Sequence, residues 1–358
     1  MADSVIRRNV PFVWHYEHGL VFQTLWQVGQ KTGNARYFDY VKNAIDSRVD
    51  AAGNIKTYSI EEYNLDQINA GKALFPLYYA AGEQRYRKAL YLLREQLKGQ
   101  PRNREGGFWH KKIYPHQMWL DGIYMAAPFY AEFARTFAEP ASFDDVADQI
   151  ILIERHTRDP KTGMLYHAWD ESKQQRWANP ETGCSPHFWG RAMGWYAMAL
   201  VDVLDWLPAD HPKRDTLIAI FQQMVAALVN VQDRPTGLWF QVLDQGDRAG
   251  NYLEASASCM FVYAIAKGVR HSYLAVKYLD VARKAYLGIL GNLIDIDSRG
   301  LVNLNGTCGT AGLGGTPYRD GSFEYYVGEK IVVNDYKGIG PFILASIEIE
   351  SMGPPNNL

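Results

Sequence analysis

The stretch Gly107-Phe-Trp-His-Lys-Lys-Ile-Tyr-Pro-His-Gln-Met-Trp-Leu-Asp-Gly122 joins a glycine turn to a basic, aromatic loop and then to an apolar run. Its opening, a glycine followed by apolar or aromatic residues, recurs along the chain. It returns as Gly53-Asn-Ile, Gly163-Met-Leu-Tyr, Gly237-Leu-Trp and Gly300-Leu-Val, with gaps of 54, 56, 74 and 63 residues. Between these turns the apolar positions repeat with helical spacing. The spacing predicts helices near 12–32, 35–49, 66–81, 84–98, 116–137, 142–156, 187–206, 213–231, 253–269, 273–293 and 334–350. Short extended pieces are expected at Thr57–Ile60, Leu165–Trp169, Leu238–Val242 and Glu324–Val327. A unit of two helices closed by a turn buries its apolar faces only by stacking on its neighbours. About six such hairpins close into a ring, an all-α double barrel of inner and outer helices. One helix of twelve is missing or short. The reading is a single domain over 1–358, with 352–358 a loose tail after Gly353-Pro-Pro.

Composition excludes several classes. The chain has 358 residues, a net charge of -2 and 47% hydrophobic residues. It has no apolar run long enough to span a membrane and no basic footprint for nucleic acid. The N-terminus lacks an apolar signal core, which gives a cytoplasmic expectation. Three scattered cysteines, Cys184, Cys259 and Cys308, form neither a disulfide framework nor a CxxC zinc site. The histidines show no metal spacing, so no metal is expected. Gly309-Thr-Ala-Gly-Leu-Gly-Gly lacks the lysine of a phosphate loop and reads as a rim loop. Ten Trp and 23 Tyr, many beside His, Glu or Asp, suit sugars, whose C–H faces stack and whose hydroxyls need partners.

Three segments carry candidate chemistry. Asp121 sits among Met118, Trp119, Leu120, Ile123 and Tyr124, about a turn and a half into its expected helix. A carboxylate in such company costs several kcal/mol if charged and unpaired, so it is expected to hold a proton near neutral pH; the rival reading is a buried Asp that caps or braces a neighbouring helix. Gln117 falls four residues earlier, on the same expected helix face, and His116 at the helix start. Asp66 follows Asn64, a fair N-cap, and an acid there is favoured as the anion, whether as an active-site acid or as a residue that only compensates the helix dipole. Two carboxyls in different environments can keep one charged and one protonated. In Ser185-Pro-His-Phe-Trp-Gly-Arg-Ala-Met-Gly-Trp, residues His187, Arg191 and Trp195 fall on one expected helix face. Gly190 and Gly194 allow close approach of a neighbour. An arginine among aromatics suits a carboxylate ligand; the rival reading is an internal salt bridge to Asp66 or Asp202.

At Tyr63-Asn-Leu-Asp-Gln-Ile-Asn-Ala-Gly71, at His110–Gly122 and at Pro186-His-Phe-Trp-Gly-Arg-Ala-Met-Gly-Trp195 the chain strongly resembles the unsaturated rhamnogalacturonyl hydrolases, the YteR-like glycoside hydrolases of family 105. The resemblance runs from Trp14-His-Tyr-Glu-His-Gly19 to the helix after Asn334-Asp335. It implies an (α/α)6 barrel, no cofactor, and a small unsaturated uronic-acid disaccharide as partner. It also implies roles: Asp121 as general acid/base, Asp66 as second active-site acid, and His110, Lys111 and Tyr114 as a substrate loop with His116 and Gln117 beside it. His167 is a substrate contact, Trp189, Arg191 and Trp195 an aromatic-arginine wall, and Tyr16 a pocket residue. The implied reaction hydrates the C4=C5 bond of a terminal unsaturated galacturonic acid and releases rhamnose. Rival readings are the same chemistry on unsaturated glycosaminoglycan disaccharides, a non-catalytic sugar-binding barrel, and a helical scaffold for protein partners.

Overall fold

The structure is a computed structural model, and residues 1–353 are described. After α1 (Ala2–Arg8), the chain winds through helical hairpins. These are α2 (Tyr16–Thr32) with α3 (Ala35–Asp46), and α4 (Leu65–Asn69) running through a 3-10 turn into α5 (Leu74–Ala81) with α6 (Gln84–Gly99). Then come α7 (Leu120–Thr136) with α8 (Ser142–Thr157), α9 (Gly190–Val203) with α10 (Arg214–Asn230), and α11 (Ala255–Arg270) with α12 (Tyr278–Asn292). A short α13 (Phe323–Gly328) precedes α14 (Tyr336–Ser351). The first helix of each hairpin packs on the next in ring order, and α14 packs on both α11 and α2, so the inner layer closes. The fold is the expected (α/α)6 barrel. Its inner helices α9 and α11 are buried on almost every side, as their lack of a polar face requires.

The twelfth helix is α1. Val302 N donates to Ser4 Oγ (2.9 Å) and Arg8 donates to Val302 O (2.8 Å), while Asp3 pairs with Arg36 of α3. It fills the outer layer between α3 and the hairpin of β3 (Ile294–Ile296) and β4 (Val302–Leu304). At seven residues it is too short to show helical periodicity.

The repeated turns have a common construction. Asp50, Asn103, Asp159, Asp233 and Asp297 each accept a backbone N–H three or four residues on, from Asn54, Gly107, Thr162, Thr236 and Leu301. Such local side-chain bonds compete with the helix and end it. Close approach also matters: a Cβ on Gly19 would stand 2.4 Å from Ala70 Cα, so α2 reaches the inner ring only because that side chain is absent.

Several expected boundaries are corrected. The helix expected at 116–137 begins at Leu120, and Gln117–Trp119 is instead strand β1, paired antiparallel with β2 (Ala168–Asp170). His116 takes a left-handed φ of 64°, which breaks any helix from Pro115 onward. All three β1 residues are buried, so no alternation marks it as a strand. Asp121 therefore lies in the first turn of α7, and Gln117 is not on its face. The helix expected from 187 begins at Gly190, which leaves His187 outside it, bonded to Gln245. The helices expected from 12 and 273 begin at Tyr16 and Tyr278, and that over 66–81 is interrupted by the 3-10 turn Ala70–Ala73. Glu324–Val327, expected as extended, lies inside α13, started by Ser322 capping Tyr325 N. Thr57–Ile60 runs into a 3-10 turn at Ile60–Glu62, not a strand. Of the expected tail, 354–358 lie outside the described residues.

Candidate functional site

The segment between Phe108 and Asp121 is pinned at both ends. His110 N donates to Gln117 O (2.9 Å), and Leu65 N donates to His110 O (3.1 Å), which ties the loop to the start of α4. Within it, Trp119 is the middle of a stack. His110 lies on one side at 4.7 Å with an 8° interplanar angle, Tyr114 packs against it at 4.9 Å and 15°. The stack fixes the loop's curvature and brings His110, Lys111 and Tyr114 to one rim. Gly122 is needed for it, since a Cβ there would stand 2.7 Å from His110 Nδ1.

A second device places Asp121. The β1–β2 ladder pairs Trp119 with Ala168, and one further bond, Leu120 N to His167 O (3.0 Å), carries the register into α7. His167 thus lands beside Asp121, with Nε2 and Oδ2 3.1 Å apart. The two atoms meet off the line of a good hydrogen bond, and neither has another partner. We read the pair as a contact rather than a formed hydrogen bond, because angle as well as distance decides its strength. The other ring nitrogen, Nδ1, lies 2.7 Å from the Tyr326 hydroxyl. Tyr326 is itself held: it stacks on Trp189 at 5.7 Å, and its carbonyl accepts from Gln241, whose Oε1 accepts from Trp189 Nε1.

Asp66 is held in the opposite manner. Asn64 caps its backbone N–H at 3.0 Å, as expected. Its carboxylate sits 2.6 Å from Lys111 Nζ and 3.4 Å from His110 Nε2. Burial pushes this carboxyl up, but the charge of Lys111, with His110, outweighs burial and leaves it below the usual range. Burial first, then the like charge of Lys111, pushes His110 down to about 4, so His110 is neutral at neutral pH and Lys111 is the cation that matters. Glu17, in the same cavity, is likewise pushed up by burial but brought far down by His15 and Lys337.

A cavity of about 180 Å³ joins these groups at the rim of the barrel. Of the expected site residues it brings together Tyr16, Asp66, His110, Lys111, Tyr114 and Asp121. His167 stands behind Asp121, wholly buried. Gln117 accepts from Trp119 Nε1 (3.1 Å) and lines the neighbouring cavity. His116 is turned away, 3.5 Å from Glu171 and packed on Trp109. Trp189, Arg191 and Trp195 are buried behind the lining. Trp195 stacks on Tyr124 at 4.9 Å and meets Tyr16 edge-on. Arg191 makes no salt bridge to Asp66 or Asp202. It donates to Cys308 O and Gly309 O at the end of β5 (Thr307–Cys308), and Asp202 pairs instead with Lys267 at 2.7 Å. Gly190 and Gly194 sit against Phe240 O and Met260, the close approach their spacing suggested.

The cavity also contains residues to which the sequence reading gave no site role: His15, Glu17, Trp119, Met125 and Arg319. Thr310 and Ala311 confirm the glycine-rich stretch as a rim loop. Among the described residues no cluster of His, Cys, Asp and Glu could hold a metal, the three cysteines are free and buried, and no helix is long and apolar enough to cross a membrane.

The profile of the Glycosyl Hydrolase Family 88 matches residues 3–353. A solved structure of a family 105 glycoside hydrolase from C. acetobutylicum ATCC 824 superposes with a TM-score of 0.96 at 50% identity, covering 98% of each chain. Among curated proteins, Protein Atu3128 of Agrobacterium fabrum is 40% identical over 63% of this chain and 97% of its own length. The unsaturated rhamnogalacturonyl hydrolase YesR of Bacillus subtilis is 27% identical over 80% of each.

Proposed function

The chain belongs to the family 88 and family 105 glycoside hydrolases, and we propose that it hydrates the C4=C5 double bond of a terminal unsaturated galacturonic acid on a rhamnogalacturonan-derived saccharide, releasing rhamnose. The observation that carries this reading is the opposite treatment of two acids in one cavity. Asp66 is fixed as an anion by Lys111 at 2.6 Å, so it has no proton to give at neutral pH. Among the described residues Asp121 has no lysine or arginine partner, only His167, whose far nitrogen lies 2.7 Å from the Tyr326 hydroxyl. Two carboxyls in unlike environments divide the labour between a charged group and a proton donor. Direct glycoside hydrolysis would ask both acids to act at the anomeric carbon; hydration of an enol ether asks for one.

Asp121 gives its proton to C4, and the positive charge develops at C5 and the ring oxygen. The Asp66 carboxylate stabilises that charge electrostatically. Asp121, now a carboxylate, takes a proton from the water that adds to C5. The C5 hemiketal opens to a ketone, leaving C1 as a hemiacetal, which collapses to an aldehyde and expels the sugar alcohol. The Trp119 stack and Tyr16 offer faces for the ring, and Lys111 a donor for the uronate. YesR, named for action on an unsaturated rhamnogalacturonide, supports the substrate class.

The test is isotopic. In D₂O the keto product should carry deuterium at C4, and labelled water should place its oxygen at C5. Labelled oxygen at C1 with an undeuterated C4 would overturn the reading. Asp121→Asn should lose about 10²–10⁴ in kcat, measured by the vanishing absorbance of the conjugated enoate.

A further inference from the structure

Beyond the catalytic cavity lies a larger one, of about 730 Å³, and the two share a wall made by Tyr114 and Arg319. Saccharide-sized ligands occupy pockets of roughly 300–1,000 Å³. The catalytic cavity, at about 180 Å³, falls short of that range and the larger one fills it. The wall is a single layer: Arg319 Nη2 donates to the Tyr114 hydroxyl at 2.9 Å. Arg319 is otherwise held by the carbonyls of Leu313 and Gly314, and among the described residues its hydrogen-bond partners include no carboxylate. A guanidinium fixed in place by neutral acceptors keeps its charge available to an anion.

The far wall is equipped for a sugar. Tyr318 and Tyr325 present rings, and Gln175 and Glu329 present polar groups. Trp177 is buried, and among the described residues its Nε1 has no hydrogen-bond acceptor. It packs under Gly314, behind the cavity floor, where a Cβ on that glycine would stand 3.9 Å from Trp177 Nε1 and 3.7 Å from Gln175 Oε1. Ile113, 73% exposed, forms an apolar lip at the mouth.

We propose that this second cavity is a subsite for a further, acidic sugar of the leaving saccharide, with that sugar's carboxylate read by Arg319. The preferred substrate is then longer than a disaccharide. This rests on the hydration reading above, which the following experiment tests separately. Wild-type enzyme is given a lyase-generated unsaturated disaccharide and the tetrasaccharide with the same terminal unit. The same tetrasaccharide is also given with its internal uronate reduced to the alcohol. The native tetrasaccharide should show kcat/KM at least about tenfold above the disaccharide, the return of about one well-made charged contact. Reduction should abolish most of that gain. Gln175→Ala and Ile113→Trp, on the far wall and lip, should remove the gain while disaccharide turnover stays within about twofold, which also shows that they fold. Equal kcat/KM on all three substrates would overturn the subsite. So would a gain that survives uronate reduction, or variants that slow both substrates alike. Absence of turnover on every unsaturated substrate would instead remove the hydration reading, and the subsite with it.

Discussion

Replacing Lys111 by methionine should expose how the cavity keeps one acid charged. Lys111 Nζ lies 2.6 Å from Asp66 Oδ2, and the Asp66 side chain is only 9% exposed. At an effective dielectric near 20, opposite charges about 4 Å apart attract by ~4 kcal/mol. Removing one member of a buried pair costs about 3–5 kcal/mol, because the other charge is left behind. Lys111→Met should therefore lower stability by about 3 kcal/mol at pH 7, the low end, since the site opens to water. Burial, the force already pushing the Asp66 carboxyl up, then acts with only His110 and His15 against it, and the carboxyl rises. The sign follows. In the wild type Asp66 is depressed, so its stabilisation is present above the ordinary carboxylate range and disappears as the pH falls through the depressed value. In the variant that loss, and the acidic limb of the pH–rate profile, should move to higher pH. Adding Asp66→Asn to Lys111→Met removes the orphaned charge. The double variant should be more stable than the sum of the singles by about 2 kcal/mol. Urea denaturation with pH–kcat/KM profiles for the four proteins forms the assay. Strict additivity, with an unmoved acidic limb, would refute the claim that Lys111 holds Asp66 as an anion.

Three further outcomes follow from the same geometry. Tyr326→Phe removes the hydroxyl 2.7 Å from His167 Nδ1, and kcat should fall about tenfold, roughly the ~1.4 kcal/mol of one hydrogen bond, with KM little changed; an unchanged kcat would make Tyr326 a packing residue only. His110, pushed by burial from 6.5 down to about 4, should make stability fall as pH drops from about 6.5 to about 4 and level off below, because the unfolded state takes up the proton first. The expected loss is about 3 kcal/mol, and His110→Gln should flatten that slope in thermal melts. Gly122→Ala should destabilise by about 1–3 kcal/mol through overpacking and reduce activity, since the new methyl meets His110 at 2.7 Å; full activity in this variant would show that the His110–Trp119 stack can shift freely.

The ring of hairpins was legible because each turn repeats, and because inner helices leave strong apolar runs between turns. The acids were legible for a related reason. Asp66 and Asp121 both sit in the first turn of an inner helix, on segments whose composition is otherwise apolar. What was hidden is orientation. Nothing in His110–Gly122 tells that three buried residues, Gln117–Trp119, form a strand, and that strand decides where His167 arrives. Arg319 was hidden because it lies about two hundred residues beyond Lys111 and is bound only by carbonyls and a tyrosine hydroxyl, which leave no mark in spacing. Tyr326 was hidden behind an aromatic-rich segment that reads as extended and folds as a capped helix.

Arg191 shows the limit of residue type as a guide, and it can be tested without ambiguity. The sequence offers an arginine among tryptophans, the chemistry of a carboxylate clamp. The structure puts that guanidinium 1% exposed, with two donors on the carbonyls of Cys308 and Gly309, just ahead of Thr310 and Ala311 on the cavity rim. It holds a loop from behind the cavity, whose lining does not include it. A lysine has no planar fork and cannot reproduce both bonds at once. Arg191→Lys should lose one charge-assisted bond, about 1.5–3 kcal/mol of stability. The amides of residues 308–311 should then exchange with solvent faster, because local opening becomes easier. Substrate binding should weaken as the rim loosens, and it should weaken equally for a free uronate and for its methyl ester. A clamp would behave differently, since its loss costs nothing on a substrate that has no carboxylate to clamp. If the penalty of Arg191→Lys disappears on the ester while loop exchange stays slow, Arg191 touches the substrate and the strut is wrong.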